Sequence, residues 1–165
     1  MKTPKTITYG EVMVKIISLR ETITDEAQRH MDCPANCVEY WRSHIATAPG
    51  FDSERECLIV LILDSKMKIK GHHLVSLGLI NQTLVHAREV FRPAVALAGA
   101  FVVLMHNHPS GDPTPSHEDL KSTRDMANAG RILGITLLDH VVVGQPSQAN
   151  ARGFVSLKES GMMTI

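Results

Sequence analysis

Residues 101–119 read FVVLMHNHPSGDPTPSHED, and the fold class turns on them. The five apolar residues 101–105 form a short continuous run of the kind a strand makes when both its faces are covered. The next ten, HNHPSGDPTP, contain three Pro, one Gly and one Asp, a composition that breaks regular structure. From Ser116 the pattern predicts a helix over residues 116–133, with Gly134 as its stop. Strand, loop and helix thus follow one another.

Working outward, the same alternation continues. Residues 56–64, ECLIVLILD, hold seven apolar residues between two acids and predict a second buried strand. Asp64-Ser65-Lys66 reads as a turn, and residues 67–74 as its hairpin partner. Residues 84–86 predict a short strand, and residues 88–98 a helix in which Pro93 is tolerated only near the first turn. Residues 135–143 form a third apolar strand and residues 154–159 an edge strand. Upstream, Val38, Trp41 and Ile45 share one face of a helix predicted over residues 34–48, with Asp32 as N-cap and Pro49-Gly50 as its end. Alternating strands and helices give an α/β (α+β) class with a central mixed sheet covered by helices. Residues 1–30 read as an N-terminal extension, with β-branched residues in loose alternation over 6–19, and residues 31–165 as the domain.

Composition narrows the function. The 165 residues are 44% hydrophobic and 21% charged, which excludes a disordered chain. Lys+Arg and Asp+Glu are both 17. With no basic excess there is little counterion release to drive binding, which argues against nucleic acid as a direct ligand. The three cysteines, Cys33, Cys37 and Cys57, are too few and odd in number for a disulfide framework. Cys57 reads as a core thiol. Cys33 and Cys37 are a C-x3-C without a second pair, a weaker zinc signal than a coincidence at a helix start. No apolar signal segment opens the chain, and the apolar stretch 94–105 is too short to cross a membrane, so a reducing cytoplasm is the expectation.

The chemistry concentrates at residues 106–119. His106 and His108 are two apart in an extended segment, so their rings point to one side and can converge on one metal ion. Ser116 and Asp119 are three apart at a helix start and share a face. With Asp119 as a carboxylate ligand, two His and one Asp make an open zinc site with a fourth position for water. Each part has an ordinary alternative: H-x-H after a strand is a weak signal alone, and Ser-x-x-Asp at a helix start is capping chemistry. The conjunction H-x-H-x7-S-x2-D in the order strand, loop, helix is far more specific. Among the other histidines, His72-His73 and His117 read as surface, and His86 is undecided. Asp139-His140 is either a support for the site or a hydrogen-bonded core pair.

His106-Asn107-His108-Pro109 with Ser116 and Asp119 resembles the JAMM motif of JAB/MPN metalloproteases. HNHPSGDPTPSHED, LLDHV at 137–141, ERECLIVLILD and LVHAREVF are similar to the bacterial RadC-like branch of that family. The resemblance covers roughly residues 32–161. It implies a deaminase-like α-β-α sandwich, zinc held by His106, His108 and Asp119, and a Glu general base earlier in the chain. By position that base is Glu56, with Glu54 its local rival and Glu89 a more distant one. Longer members carry an N-terminal helix-hairpin-helix region, whose signature is not visible here, so the chain resembles the JAB domain with a short leader.

The implied function is hydrolysis of a peptide or isopeptide bond by metal-activated water. Glu56 serves as general base and Ser116 as hydrogen-bond donor to the oxyanion. The implied partner is a protein or peptide substrate, with no membrane and with homo-oligomerisation left open. Two alternatives remain at this point: a DNA-repair-associated factor of the kind the RadC name suggests, and a non-catalytic MPN scaffold. The second typically lacks the ligands that His106, His108 and Asp119 supply. A cytidine-deaminase reading fails, because H-x-E and P-C-x-x-C are both missing.

Overall fold

The computed structural model describes residues 6–9, 12–15, 29–78 and 85–163. Near the N-terminus, β1 (Thr6–Tyr9) and β2 (Val12–Lys15) pair antiparallel. The main body is built on β3 (Cys57–Leu63), whose seven residues are all buried, as an unbroken apolar run in a covered sheet must be. Asp64 then turns the chain, its Oδ1 accepting from the N–H groups of Lys66 and Lys68 at 2.8 and 2.9 Å. This closes a hairpin onto β4 (Ile69–Leu77).

On its other edge β3 pairs antiparallel with β5 (Phe101–Asn107). β5 pairs parallel with β6 (Thr136–Val143), and β6 antiparallel with the short β7 (Phe154–Ser156). The five strands lie in the order β4-β3-β5-β6-β7. A parallel pair needs a long crossover, and the helix α3 (His117–Leu133) supplies it between β5 and β6. Helix α1 (Pro34–Tyr40) runs on into one wide π-helical turn, Trp41–Ile45, and α2 (Ala87–Ala96) precedes β5.

The pleat of β3 divides the core. Cys57, Ile59, Leu61 and Leu63 face Val38, Trp41 and Ile45 on one side. Leu58, Val60 and Ile62 face Val90, Phe91 and Ala94 of α2 and Met126 of α3 on the other. The result is a helix–sheet–helix sandwich around a mixed sheet, the class expected.

Several local expectations are corrected. The strand predicted over 101–105 continues through His106 and Asn107, because ladder bonding is made by the backbone and does not stop where side chains become polar. The first helix starts from Cys33 rather than Asp32, and its end at Ile45 precedes Ala48. Asp32 instead accepts from Asn36 Nδ2 at 2.9 Å. Pro93 is the seventh residue of α2, not in its first turn; the buried face of Val90, Phe91 and Ala94 holds the helix across it. Val85 and His86 carry no strand, and Leu84 lies outside the described residues. The edge strand over 154–159 shortens to three residues before the chain turns. Of residues 1–30, positions 10, 11 and 16–19 of the β-branched stretch and most of the polar stretch lie outside the described residues.

Candidate metal centre

The register of β3 on β5 sets Leu58 opposite His106. Paired residues of an antiparallel ladder point to the same face. His106 therefore faces the α2–α3 side, at the end of a buried strand, and is 1% exposed. His108, two residues on, points the same way where the loop begins. The loop brings the chain round to Ser116, the N-cap of α3, and the third residue of the helix is Asp119.

Three potential donors meet there. His106 Nε2 lies 3.0 Å from His108 Nε2 and 3.2 Å from Asp119 Oδ1. His108 Nε2 lies 3.5 Å from Asp119 Oδ2. Donors bound at ~2.0–2.1 Å on a tetrahedral ion are about 3.3 Å apart, so the residues fit a metal ion of that kind. Among the described residues this is the one His/Cys/Asp/Glu group with the spacing to hold such an ion. His108 and Asp119 are 17% and 14% exposed, so the group opens to solvent on their side.

The surroundings orient each donor. His108 Nδ1–H donates to the carbonyl of Asp112 at 2.8 Å, which leaves Nε2 for the shared centre. His106 Nδ1 lies 2.9 Å from Nε2 of His140, whose Nδ1 lies 2.6 Å from Thr123 Oγ1. Thr123 Oγ1 in turn donates to the carbonyl of Asp119 at 2.6 Å. Asp119 Oδ2 accepts from both the N–H and the hydroxyl of Ser116 at 2.7 Å, and Ser116 Oγ accepts from the Asp119 N–H at 3.1 Å. This is a reciprocal capping box. The capping reading of Ser-x-x-Asp and its place beside the metal donors thus hold together.

Electrostatics follows the geometry. Burial works to raise the Asp119 pKa, but its contacts with His106, His108 and Ser116 outweigh this and hold the carboxyl well below the usual range. The Asp119 hydrogen bond raises the His108 pKa, with the Asp112 carbonyl and the charges of Asp119 and Glu56 adding to it against burial. Burial pushes His140 down to about 3.

Three acids were candidates for the base. Glu56 directly precedes β3, one strand away from the end of β5, and its charge acts on the His108 ring. Glu54 is exposed. Glu89 pairs with Arg88 and Arg92, both at 3.3 Å, on α2.

Asp139 and His140 separate, as neighbours on a strand must. His140 backs the donor group through His106 Nδ1, whereas Asp139 accepts from Ser156 Oγ at 2.5 Å and from the Lys158 N–H at 3.0 Å. His117 and His86 are exposed, and His72 is exposed with its Nδ1 2.8 Å from the Tyr40 hydroxyl. All three cysteines are free, with Cys33 exposed and Cys37 and Cys57 buried.

Two neighbours of the site carry no signal of their own in the sequence: Asn107, which sits between the two histidines, and Thr123, which looks like any helical threonine. Their partners lie far away in the chain, and no local spacing marks them.

Comparison with known proteins identifies relatives of the chain. A protein of Trichlorobacter lovleyi named UPF0758 protein is 46% identical over 138 residues, 84% of this chain and 55% of that protein. One of Methanosarcina barkeri is 42% identical over 143 residues, 87% of this chain and 58% of its own length. One of Geobacter sulfurreducens is 50% identical over 93 residues, 56% of this chain and 41% of its own length. The chain thus spans about half the length of the relatives it matches. Residues 31–162, which carry the whole sheet and every donor described above, match the family model of the RadC-like JAB domain, and the chain belongs to that family.

Proposed function

We propose that the chain is a zinc-dependent hydrolase of the JAMM type that cleaves a peptide or isopeptide bond. The observation that carries this reading is the convergence of His106 Nε2, His108 Nε2 and the Asp119 carboxylate at the separations of an ion's donors. Those three residues would hold the ion. Zinc so bound supplies a water that ionises near neutral pH and a Lewis acid for the scissile carbonyl. Glu56 acts as the base. Its carboxylate accepts a proton from the attacking water as the new C–O bond forms, and delivers it to the leaving nitrogen as the C–N bond breaks. Ser116, once its hydroxyl turns from Asp119 Oδ2, donates to the carbonyl oxygen as negative charge develops there.

The substrate is a protein or peptide in a reducing cytoplasm. Three free cysteines support that setting. Among the described residues no helix is long and apolar enough to cross a membrane.

The test pairs metal analysis with a cleavage screen. Zinc-loaded wild-type chain is incubated with a peptide library, and new termini are read by mass spectrometry. Glu56→Gln keeps the shape but cannot take the proton. It should retain one zinc and lose cleavage by about 10²–10⁴-fold, while Glu54→Gln and Glu89→Gln stay active. A wild-type chain that takes up no zinc, or one whose cleavage survives Glu56→Gln, overturns the proposal.

A further inference from the structure

A metal-binding imidazole must present a bare nitrogen, and what its other nitrogen contacts decides which one is bare. For His108 one contact closes the question. The Asp112 carbonyl can only accept, so in the neutral ring it takes the Nδ1 proton and leaves Nε2 bare. His106 has no such carbonyl. Its Nδ1 meets another imidazole, Nε2 of His140, at 2.9 Å, and a ring nitrogen there can donate or accept.

The direction is set further along. Thr123 has one hydroxyl proton. Its oxygen lies 2.6 Å from the Asp119 carbonyl, which only accepts, so that proton points to Asp119. His140 Nδ1, 2.6 Å from the same hydroxyl oxygen, is then the donor of the next bond. His140 is 2% exposed. Its ring partners are an imidazole and a hydroxyl, with no carboxylate on either nitrogen, and such a buried ring is neutral. With its one proton on Nδ1, Nε2 of His140 is an acceptor. His106 donates to it from Nδ1, and His106 Nε2 is left bare toward His108 and Asp119.

We infer that His140 and Thr123 are positioning residues of the metal centre: the circuit His106–His140–Thr123–Asp119 carbonyl fixes the tautomer and the aim of the His106 ring. The inference rests on the metal-centre reading proposed above. The circuit crosses from β5 to β6 to α3 and ends on the main chain of a second donor residue. Ring orientation in His106 is thereby tied to the helix that carries Asp119.

The test uses the full chain, zinc-free and zinc-loaded. Proton–nitrogen correlation spectra of the imidazole rings report protonation directly. His140 is expected as the Nδ1–H tautomer in both states, and an Nε2–H tautomer overturns the inference without touching the metal-centre reading. This arm needs no variant to fold. In the second arm zinc affinity is measured by competition with a chromophoric chelator. Thr123→Val keeps the shape and removes the hydroxyl; it should weaken zinc binding roughly tenfold, the lower end of the range for lost outer partners of metal ligands. Thr123→Ser, which returns the hydroxyl, should match the wild type. Circular dichroism verifies that both variants are folded. Zinc uptake by wild type with Thr123→Val unaffected overturns this inference alone. A wild-type chain that takes up no zinc overturns the metal-centre reading and this inference together.

Discussion

The side chain of Asn107 grips the segment that carries Glu56 from both sides. Its Oδ1 accepts from the Cys57 N–H at 2.9 Å, and its Nδ2 donates to the carbonyls of Arg55 at 3.0 Å and Ser53 at 3.4 Å. The Glu56 carbonyl itself accepts from the Gly78 N–H at 2.8 Å. Asn107 lies between the two histidines in sequence but points to the opposite face of β5, as strand alternation requires. One strand end thus aims two metal donors one way and anchors the candidate base the other. Asn107→Ala leaves the buried Cys57 N–H without its partner, which should destabilise the chain by about 1–3 kcal/mol. Urea unfolding of the zinc-free protein measures this, and an unchanged midpoint would count against the clamp.

Gly130, on the buried side of α3, is there for lack of space. A Cβ at this position would come 2.3 Å from the carbonyl oxygen of Ile135 and 3.1 Å from the Phe91 ring. The oxygen belongs to backbone and cannot move aside as a flexible side chain would. In an open helix Gly→Ala is favourable by about 1 kcal/mol. Here Gly130→Ala should be net destabilising, by roughly the 1–3 kcal/mol of an overpacked core. Thermal unfolding decides the sign, and a more stable variant would show that α3 shifts freely against β6.

Zinc affinity should rise with pH from below neutrality upward. A proton on His108 Nε2 competes with the ion, and the Asp119 hydrogen bond raises the pKa of that ring above its ordinary 6.5. Competition therefore extends to a higher pH than for an unperturbed His. Below the raised pKa each pH unit should cost about tenfold in affinity, one proton being released per ion. In the zinc-free chain the sign is opposite. The protonated ring stabilises the fold fully below the unfolded-state pKa, and that contribution fades as pH rises through the folded-state pKa. Zinc titrations at several pH values from about 6 to 8 cover the range in which histidine titrates. A flat profile would refute the coupling of His108 to Asp119.

Local periodicity made part of this molecule legible. The apolar run of β3 declares a strand with two covered faces, and Gly134 closes α3 in the left-handed conformation at φ 69°. His106 and His108 could be placed on one side of a strand, and Asp119 on the first turn of a helix, because strand and helix periods are fixed by geometry. Hydropathy ends the strand two residues early, because it reads side chains whereas backbone hydrogen bonds define the element. His106 and Asn107 go on pairing with Val142 and Val143. Asn107 and Thr123 were illegible for a different reason, and His140 was legible only as one of two open readings. Asn107 reaches Cys57 across fifty positions, and His140 reaches His106 across thirty-four. Such contacts exist only once three strands and a helix have assembled.

Ser116 serves two ends that substitution can separate. As N-cap of α3 it accepts from the Asp119 N–H, and as a hydroxyl donor it touches Asp119 Oδ2. Ser116→Ala removes both. The loss of a side-chain cap costs about 0.5–2 kcal/mol, and for a domain of about this size each kcal/mol lowers Tm by roughly 2–4 °C. Ser116→Asn restores an oxygen that can accept from the helix N–H, but not the hydroxyl. In the zinc-free chain Asn should therefore recover most of the stability that Ala loses, because stability there reads only the cap. In the zinc-loaded chain Asn should recover none of any cleavage that Ala loses, because the substrate oxygen needs the hydroxyl. Paired melts and cleavage assays on the three proteins make the comparison. If Asn restores both properties, the hydroxyl has no role beyond the cap. If Ala melts with the wild type, the capping box contributes nothing measurable and α3 is held by its buried face alone.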